Sequence, residues 1–264
     1  MPPLSFALLA LMISPMVSLA ADPEAAALME KSRQTTLLKG SRTEFKLELR
    51  LSDGSARVRR VITATRLQAN GTRNSRIARF EFPADAKGLA TLLIERNDGP
   101  DDVWIYVPAL KKTRRIVADG KRDSFMGTVL NYGDVIGHKP TQWSHRVVGQ
   151  GSWEDRPCWL VESLPINESV RSESGYSKRV SCIDVDTAFN WKMDAWDLAG
   201  KPLKSIMSRK VKAVPEQPGV FVAYELEARN LQTGETSIFS LQTFQFVPSL
   251  PETEFRPNAL GDDS

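Results

Sequence analysis

The stretch TEFKLELRLSDG alternates without a break: Phe45, Leu47, Leu49 and Leu51 interleave with Glu44, Lys46, Glu48 and Arg50. A period of two makes one face apolar and the other wet, the pattern of a β-strand lying between a core and water. Asp53-Gly54 follows, a pair suited to a tight hairpin turn, and RVRRVITATRL reads as the returning strand. The pattern recurs at short spacing. SRIARFEF ends at Pro83, LATLLIE ends before Asn97-Asp98-Gly99, and DVWIYVP ends at Pro108. RPCWLVESL, YSKRVSCIDV, FNWKMDAWDL and PLKSIMSRKV come later, and VFVAYELEARNLQTGETSIFSLQTFQF reads as a hairpin turning at Thr233-Gly234. Strands spaced this regularly pair with their sequence neighbours. The expectation is a mainly β (α+β) chain of about 10–11 strands in an antiparallel meander.

Little else is left to cover such a sheet. Asp22 can cap a helix, Pro23 suits its first position and Glu24 complements its dipole, so a helix of about three turns is expected from there. Residues 119–140 are the other candidate cover, and a large curved sheet with so few covering elements tends to leave a cavity. With 264 residues, 41% of them hydrophobic, the chain can build a sizeable core in one domain. The expected organisation is a signal peptide over 1–20, a single domain over 21–250 and a loose C-terminal tail over 251–264. Met1 to Ala20 contain no charged side chain, LSFALLALMI is an apolar run of signal-peptide length, and Ser18 and Ala20 are small residues before a cut. Pro15 interrupts the run, which is short for a membrane span. Cleavage after Ala20 and export follow. In an oxidising compartment, Cys158 and Cys182 are expected to form a disulfide, worth about 3 kcal/mol in the chain-entropy picture, with two buried thiols as the alternative.

Signals for catalysis are sparse. The chain has two histidines, His138 and His145, no G-x-S-x-G elbow and no H-E-x-x-H pattern, and its two cysteines have no histidine at ligand spacing. No metal or cofactor is expected. The acidic pairs Asp101-Asp102 and Asp184-x-Asp186 fall where strands meet turns, the ordinary place for such residues, although a hydrolase using dispersed carboxylates stays open. Asn70-Gly71-Thr72 and Asn167-Glu168-Ser169 match the short glycosylation sequon. The KKTRR cluster of Lys111, Lys112, Arg114 and Arg115 follows Trp104 and Tyr106, but a net charge of only +3 does not mark a nucleic-acid binder. A solvated hairpin, or attraction to anionic head groups or an acidic partner, accounts for it.

The longer run DDVWIYVPALKKTRRI…SFMGTVLNYGDVIG, from Asp101 to Gly137, resembles the outer-membrane lipoprotein-sorting family found beside RND-type (MMPL-like) exporters, relatives of the LolA and LolB carriers. The family pattern falls on Asp101 through Leu110, Lys111 through Ile116 and Ser124 through Gly127. CWLVES at Cys158 and DLAGKPLK at Asp197 are similar too, and the likeness spans residues 24–246. Two departures stand out: Gly133 replaces a common Glu, and Cys182 replaces a common Trp.

The resemblance implies an unclosed antiparallel β-barrel with a helical lid, LolA-like, in a non-catalytic periplasmic carrier. Such a protein holds lipid or lipoprotein acyl chains in an apolar cavity and passes them toward the outer membrane. An RND-type exporter would be its partner, the protein would be a monomer, and it would meet membranes only peripherally. Cargo gains about 0.8 kcal/mol per buried methylene, and a weakly held cover must yield to it. On this reading Trp104, Tyr106, Leu110, Phe125, Met126, Val129, Leu130 and Tyr132 line the cavity or its lid, with the aromatic face of the 103–107 strand turned inward. Lys111, Lys112, Arg114 and Arg115 then meet head groups or the exporter. An adaptor that binds the exporter without cargo is the competing reading.

Overall fold

The computed structural model describes residues 22–97, 99–116 and 121–261. The expected signal peptide, 1–20, lies outside them. The described residues open with α1 (Pro23–Gln34), where the Asp22 carboxylate accepts from the Glu24 and Ala25 N–H groups and Pro23 takes the first helical position, as the sequence implies. Five strands follow: β1 (Gly40–Arg50), β2 (Ala56–Leu67), β3 (Asn74–Phe82), β4 (Ala90–Ile94) and β5 (Asp102–Val107). A short edge strand, β6 (Lys112–Ile116), ends the first half. The second half runs β7 (Trp143–Trp153), β8 (Arg156–Pro165), β9 (Lys178–Asp184), β10 (Asn190–Trp196), β11 (Pro202–Ala213), β12 (Phe221–Asn230) and β13 (Thr236–Phe246). Two short helices interrupt it, α2 (Tyr132–Ile136) before β7 and α3 (Glu168–Ser174) after β8.

All thirteen strands form one antiparallel sheet in the order β6-β5-β4-β3-β2-β1-β13-β12-β11-β10-β9-β8-β7. Every neighbour is a sequence neighbour except one: β1 pairs with β13, Ser41 opposite Phe246 and Arg50 opposite Thr236, joining the two ends of the meander. The edges are therefore β6 and β7, which are consecutive in the chain but unpaired. The sheet is an unclosed barrel, and the segment joining β6 to β7 has to span its opening. Thirteen strands rather than 10–11 is a correction with a physical pattern. The two strands without an alternating signature are the two edges: β6 reads KTRRI and β7 reads WSHRVVGQGSW. Charged and glycine-interrupted edges are how sheets discourage pairing with other chains.

The sheet curls so that one face encloses the segment between β6 and β7. Val103 and Ile105 on β5 and Ala228 on β12, from opposite halves of the strand order, belong to one buried cluster. Helix α1 lies over the same inner face, with Ala25 and Met29 on Val161 and Ile183. Its Arg33 reaches the other half of the barrel, donating to Glu95 at 2.7 Å and to the Thr72 carbonyl at 2.8 Å. Cys158 and Cys182 form the expected disulfide across β8 and β9, with Cα atoms 5.3 Å apart. The tail is not loose. Residues 251–261 fold into two 3-10 turns, and Phe255 and Leu260 are buried against Ala64, Ile77, Ala90 and Leu92 on the outer face of the first half.

The sequons have structural jobs. Asn167 caps α3, accepting from the Val170 N–H at 2.9 Å, and Asn70 Oδ1 accepts from Thr72 and Arg73 N–H groups in the β2–β3 turn.

Candidate lid and inner face

The segment between β6 and β7 fills the inner face. It begins as a closed loop: Ser124 bridges Asn131, the Phe125 N–H donates to the Leu130 carbonyl at 2.7 Å, and the Ser124 hydroxyl donates to the Thr128 carbonyl at 2.6 Å. Met126 and Gly127 take the positive φ values of 52° and 74° that so tight a loop requires. Asn131 and Asp134 then form a reciprocal capping box that starts α2. Apolar side chains from this segment, Phe125, Leu130, Tyr132 and Ile136, pack on Leu93, Val103, Ile105 and Ala228, with Met126 and Val129 at the margin. The Phe125 and Tyr132 rings meet edge to face, centroids 5.4 Å apart.

Five of the eight expected cavity residues, Phe125, Met126, Val129, Leu130 and Tyr132, are thus gathered in one segment. The other three are elsewhere. Trp104 and Tyr106 pack on the outer face, against Leu92 and the C-terminal tail, while Val103, Ile105 and Val107 face the lid. The expectation that the aromatic face turns inward is therefore corrected. An outer face covered by the tail gives large amphipathic rings an apolar bed and a wet rim, and small aliphatics suit the crowded inner one. Leu110 sits at the β5–β6 turn, 65% exposed, and lines nothing. Lys111 occupies that turn with φ 46°. The β5–β6 register places Lys112 and Arg114 on the lid side of the edge and Arg115 on the outer side, where it pairs with Asp102.

The lid is held by polar contacts that residue-type patterns did not reveal. Two guanidiniums on the inner wall donate to its backbone: Arg59 to the Met126 carbonyl and Arg76 to the Val135 carbonyl. On the opposite wall, the buried Asp134 carboxylate accepts from the Tyr176 hydroxyl at 2.8 Å and from Lys204 Nζ at 3.0 Å, while Lys204 also donates to the Val129 carbonyl at 2.8 Å. The His138 ring donates from Nε2 to the same carboxylate at 3.3 Å. Across the opening, Asp101 pairs with Lys139 at 2.9 Å and Lys121 at 3.4 Å, and Lys121 reaches Glu173 of α3 at 3.4 Å. The first half, the lid and the second half are thereby clasped together. A cavity of about 30 Å³, room for about one water molecule, lies between His138, Trp143 and Ser174.

Burial alone would raise the Asp134 carboxyl, but Lys204, His138 and the Asn131 N–H outweigh it and hold the group well below its usual 3.8. Burial, with Arg179 nearby, lowers His138 to about 4 against the pull of Asp134, and burial pushes Tyr132 up to about 12. His138 is therefore neutral in the folded protein at pH 7. An unfolded chain takes up its proton near pH 6.5, the folded one only near 4, so the folded state is favoured above pH 6.5 and loses that advantage as pH falls from 6.5 to 4. The loss amounts to at most about 3 kcal/mol. Asp134 stays ionised throughout this window. Urea midpoints measured from pH 7.5 to 4.5 should fall for the wild type and fall less for His138→Gln.

Three of the acids considered for catalysis, Asp101, Asp102 and Asp184, make structural contacts. Asp184 Oδ1 accepts from Asp186 N–H and from Thr187 N–H and Oγ1, and its Oδ2 accepts from the Trp191 indole at 2.8 Å. Asp102 is held by Arg96 and Arg115. His145 bonds Ser163 at 2.8 Å through Nδ1 and donates from Nε2 to the Pro140 carbonyl at 2.9 Å. Ser163 is fully buried, and among the described residues no carboxylate orients the ring. Among the described residues no cluster of metal-ligating side chains occurs, and no helix is long and apolar enough to cross a membrane.

This architecture recurs in solved structures. A Vibrio parahaemolyticus domain provisionally named an outer membrane lipoprotein-sorting protein superposes with a TM-score of 0.83 at 22% identity, covering 91% of this chain and 99% of that one. A DUF1329 family protein from Desulfovibrio piger gives 0.81 at 20%, covering 90% and 98%. A LolA superfamily protein from Nitrosomonas europaea gives 0.68 at 16%, covering 89% and 98%. No curated protein matches the chain in sequence. A family model described as an uncharacterized protein matches residues 72–262. The thirteen strands, the open seam and the lid that spans it are thus the LolA-like fold, and the chain belongs to the family which that model defines.

Proposed function

We propose that this protein is an exported, non-catalytic carrier that takes up the acyl chains of a lipoprotein or another lipid beneath its lid and passes them toward the outer membrane. One observation carries the reading. The apolar inner face is filled by a segment held through polar contacts, among them those from Arg59, Arg76 and Lys204, rather than by strands of the sheet. Alkyl chains can take the place of Phe125, Leu130 and Ile136 on Leu93, Val103 and Ile105, and their burial offsets the hydrogen bonds that the departing lid gives up. In this reading Met126 and Val129 adapt to the cargo as the lid moves. The likeness to lipoprotein-sorting and LolA superfamily structures supports it, as does the disulfide, which suits an oxidising compartment.

Partnership with an RND-type exporter belongs to the same proposal. Lys111, Lys112 and Arg114 are exposed at the β6 edge, beside the seam from which cargo would leave, and are the groups placed to meet anionic head groups or an acidic surface of that partner. Arg115, tied to Asp102 and lying over Trp104, is less available. Cleavage after Ala20, a single carrier domain and a monomeric state complete the proposal. Native mass spectrometry of the mature protein purified from periplasm tests it. The expected result is a co-purifying or readily loaded acylated species at close to one per chain. A protein that emerges empty and refuses added lipids points instead to a cargo-free adaptor.

A further inference from the structure

Two cations lie buried on the inner wall of the second half, and the lid brings a carboxylate to one of them. Lys204 has its whole complement from the lid: Asp134 and the Val129 carbonyl. Arg179 stands on β9, opposite Ser163 and Ala195, with its guanidinium carbon 3.8 Å from the centre of the Trp143 ring. It is only 7% exposed. Among the described residues no carboxylate pairs with it, and its Nε, like the Trp143 indole N–H, has no hydrogen-bond partner. Trp143, His138 and Tyr176 form a run of neighbouring rings, 5.5 and 5.7 Å apart, that connects this guanidinium to Asp134. Stacking on an indole recovers part of the cost of burying a guanidinium, but a buried cation without an anion is expensive to keep. Its retention calls for a purpose.

The imbalance grows when the lid leaves. Lys204 then loses both acceptors, and Arg59 and Arg76 lose the Met126 and Val135 carbonyls. The neighbouring Glu95 is already engaged by Arg33. An opened trough would therefore present four cations, two of them in the second half on either side of Ala195, on a wall of apolar and small polar side chains. Ile206 shares a strand face with Lys204, and Met193 and Ala195 share one with each other next to Arg179.

We infer that Arg179 and Lys204 form the headgroup site for an anionic amphiphile, a carboxylate or phosphate monoester at the end of a long alkyl chain, and that Asp134 on the lid occupies its place while the lid is shut. This deepens the carrier reading and rests on it. The lid mimics the cargo at both ends of the exchange: Phe125, Leu130 and Ile136 stand for the alkyl chain, Asp134 for the head. The adjoining cavity of about 30 Å³ is far too small for a phosphate, so the headgroup enters only as the lid departs. A neutral amphiphile would leave both cations bare in an apolar trough, which is the source of selectivity. The Asp134 carboxyl remains ionised at neutral pH and is an effective placeholder.

The test is a series of ligands with one tail and different heads: hexadecanoate, palmitoyl lysophosphatidate, palmitoyl lysophosphatidylcholine and hexadecanol, each competing below its micellar concentration with a fluorescent apolar dye on the mature chain. Hexadecanoate and the lysophosphatidate should bind at least about tenfold more tightly than hexadecanol, and inorganic phosphate alone should displace nothing. The ratio of the two anions tells carboxylate from phosphate preference. Arg179→Gln should reduce the anion preference about tenfold while leaving hexadecanol unchanged, and Arg179→Lys should keep most of it. The wild-type series stands by itself if the glutamine variant does not fold. Equal binding of all heads, or a preference untouched in Arg179→Gln, overturns the headgroup site but leaves the carrier reading intact. Binding of none overturns both, and displacement by inorganic phosphate alone shows a free-anion site instead.

Discussion

Asp134→Ala should lower the unfolding free energy by about 3–5 kcal/mol, the usual cost of breaking a buried ion pair from one side. The carboxylate is almost fully enclosed, and four groups converge on it: Lys204, the Tyr176 hydroxyl, the His138 ring and the Asn131 N–H. Removing it leaves the buried Lys204 ammonium with the Val129 carbonyl as its remaining hydrogen-bond acceptor, strips the capping box from α2, and leaves a phenol without its acceptor. Lys204→Met alone should also destabilise, but Asp134→Leu with Lys204→Met should recover a substantial part of the loss, because the pair is then replaced by apolar atoms. Urea denaturation of the three variants checks this. A loss below about 1 kcal/mol in Asp134→Ala contradicts the placement of this residue as the lid's principal polar anchor.

Phe125→Ala separates stability from affinity. The ring is buried against Tyr132 and the Val103–Ile105 wall, so its truncation should cost about 3–5 kcal/mol of lid packing. For an ordinary core residue that would be the whole effect. If the lid competes with cargo for the same surface, weakening the shut state raises apparent affinity, because less of the binding energy goes into displacing it. Phe125→Ala should therefore unfold at lower urea yet bind an acyl probe more tightly, up to about tenfold for each 1.4 kcal/mol of lid energy removed. Phe255→Ala, equally buried but under the tail on the outer face, is the control: it should destabilise without raising affinity.

How much of this the sequence carried depends on what each part needed to specify. Central strands such as β1, with Phe45, Leu47 and Leu49 alternating against charges, are written in local period, and so are the helix start at Asp22-Pro23 and the turn at Asp53-Gly54. The edges were illegible because their job is to avoid looking like strands, as KTRRI shows. Which face of DVWIYV turns inward was also beyond local pattern. Both faces are apolar, and the choice was made by a tail about 150 residues away that covers Trp104 and Tyr106. The lid's residues were legible as a family-like run, yet its anchors were not. Arg59, Arg76, Arg179 and Lys204 look in sequence like any solvated charges on alternating strands; only the register and curl of the sheet turn them inward. A hint was present in their spacing: Arg59 and Arg76 sit on the same parity as Val61 and Ala78, the inward side of their strands.

The central claim is that the 121–138 segment is displaced when acyl cargo enters. Hydrogen–deuterium exchange with and without a saturating long-chain fatty acid measures it most directly. In the free protein the Phe125, Val135 and Gly137 amides donate to Leu130, Asn131 and Gly133 carbonyls and should exchange slowly, as should the amides of the β1–β13 seam. On loading, the lid amides should lose protection while the seam stays slow. If the fatty acid binds and the lid amides stay as protected as before, the segment is ordinary core, the cargo sits elsewhere, and displacement of a lid is not how this fold takes up lipid.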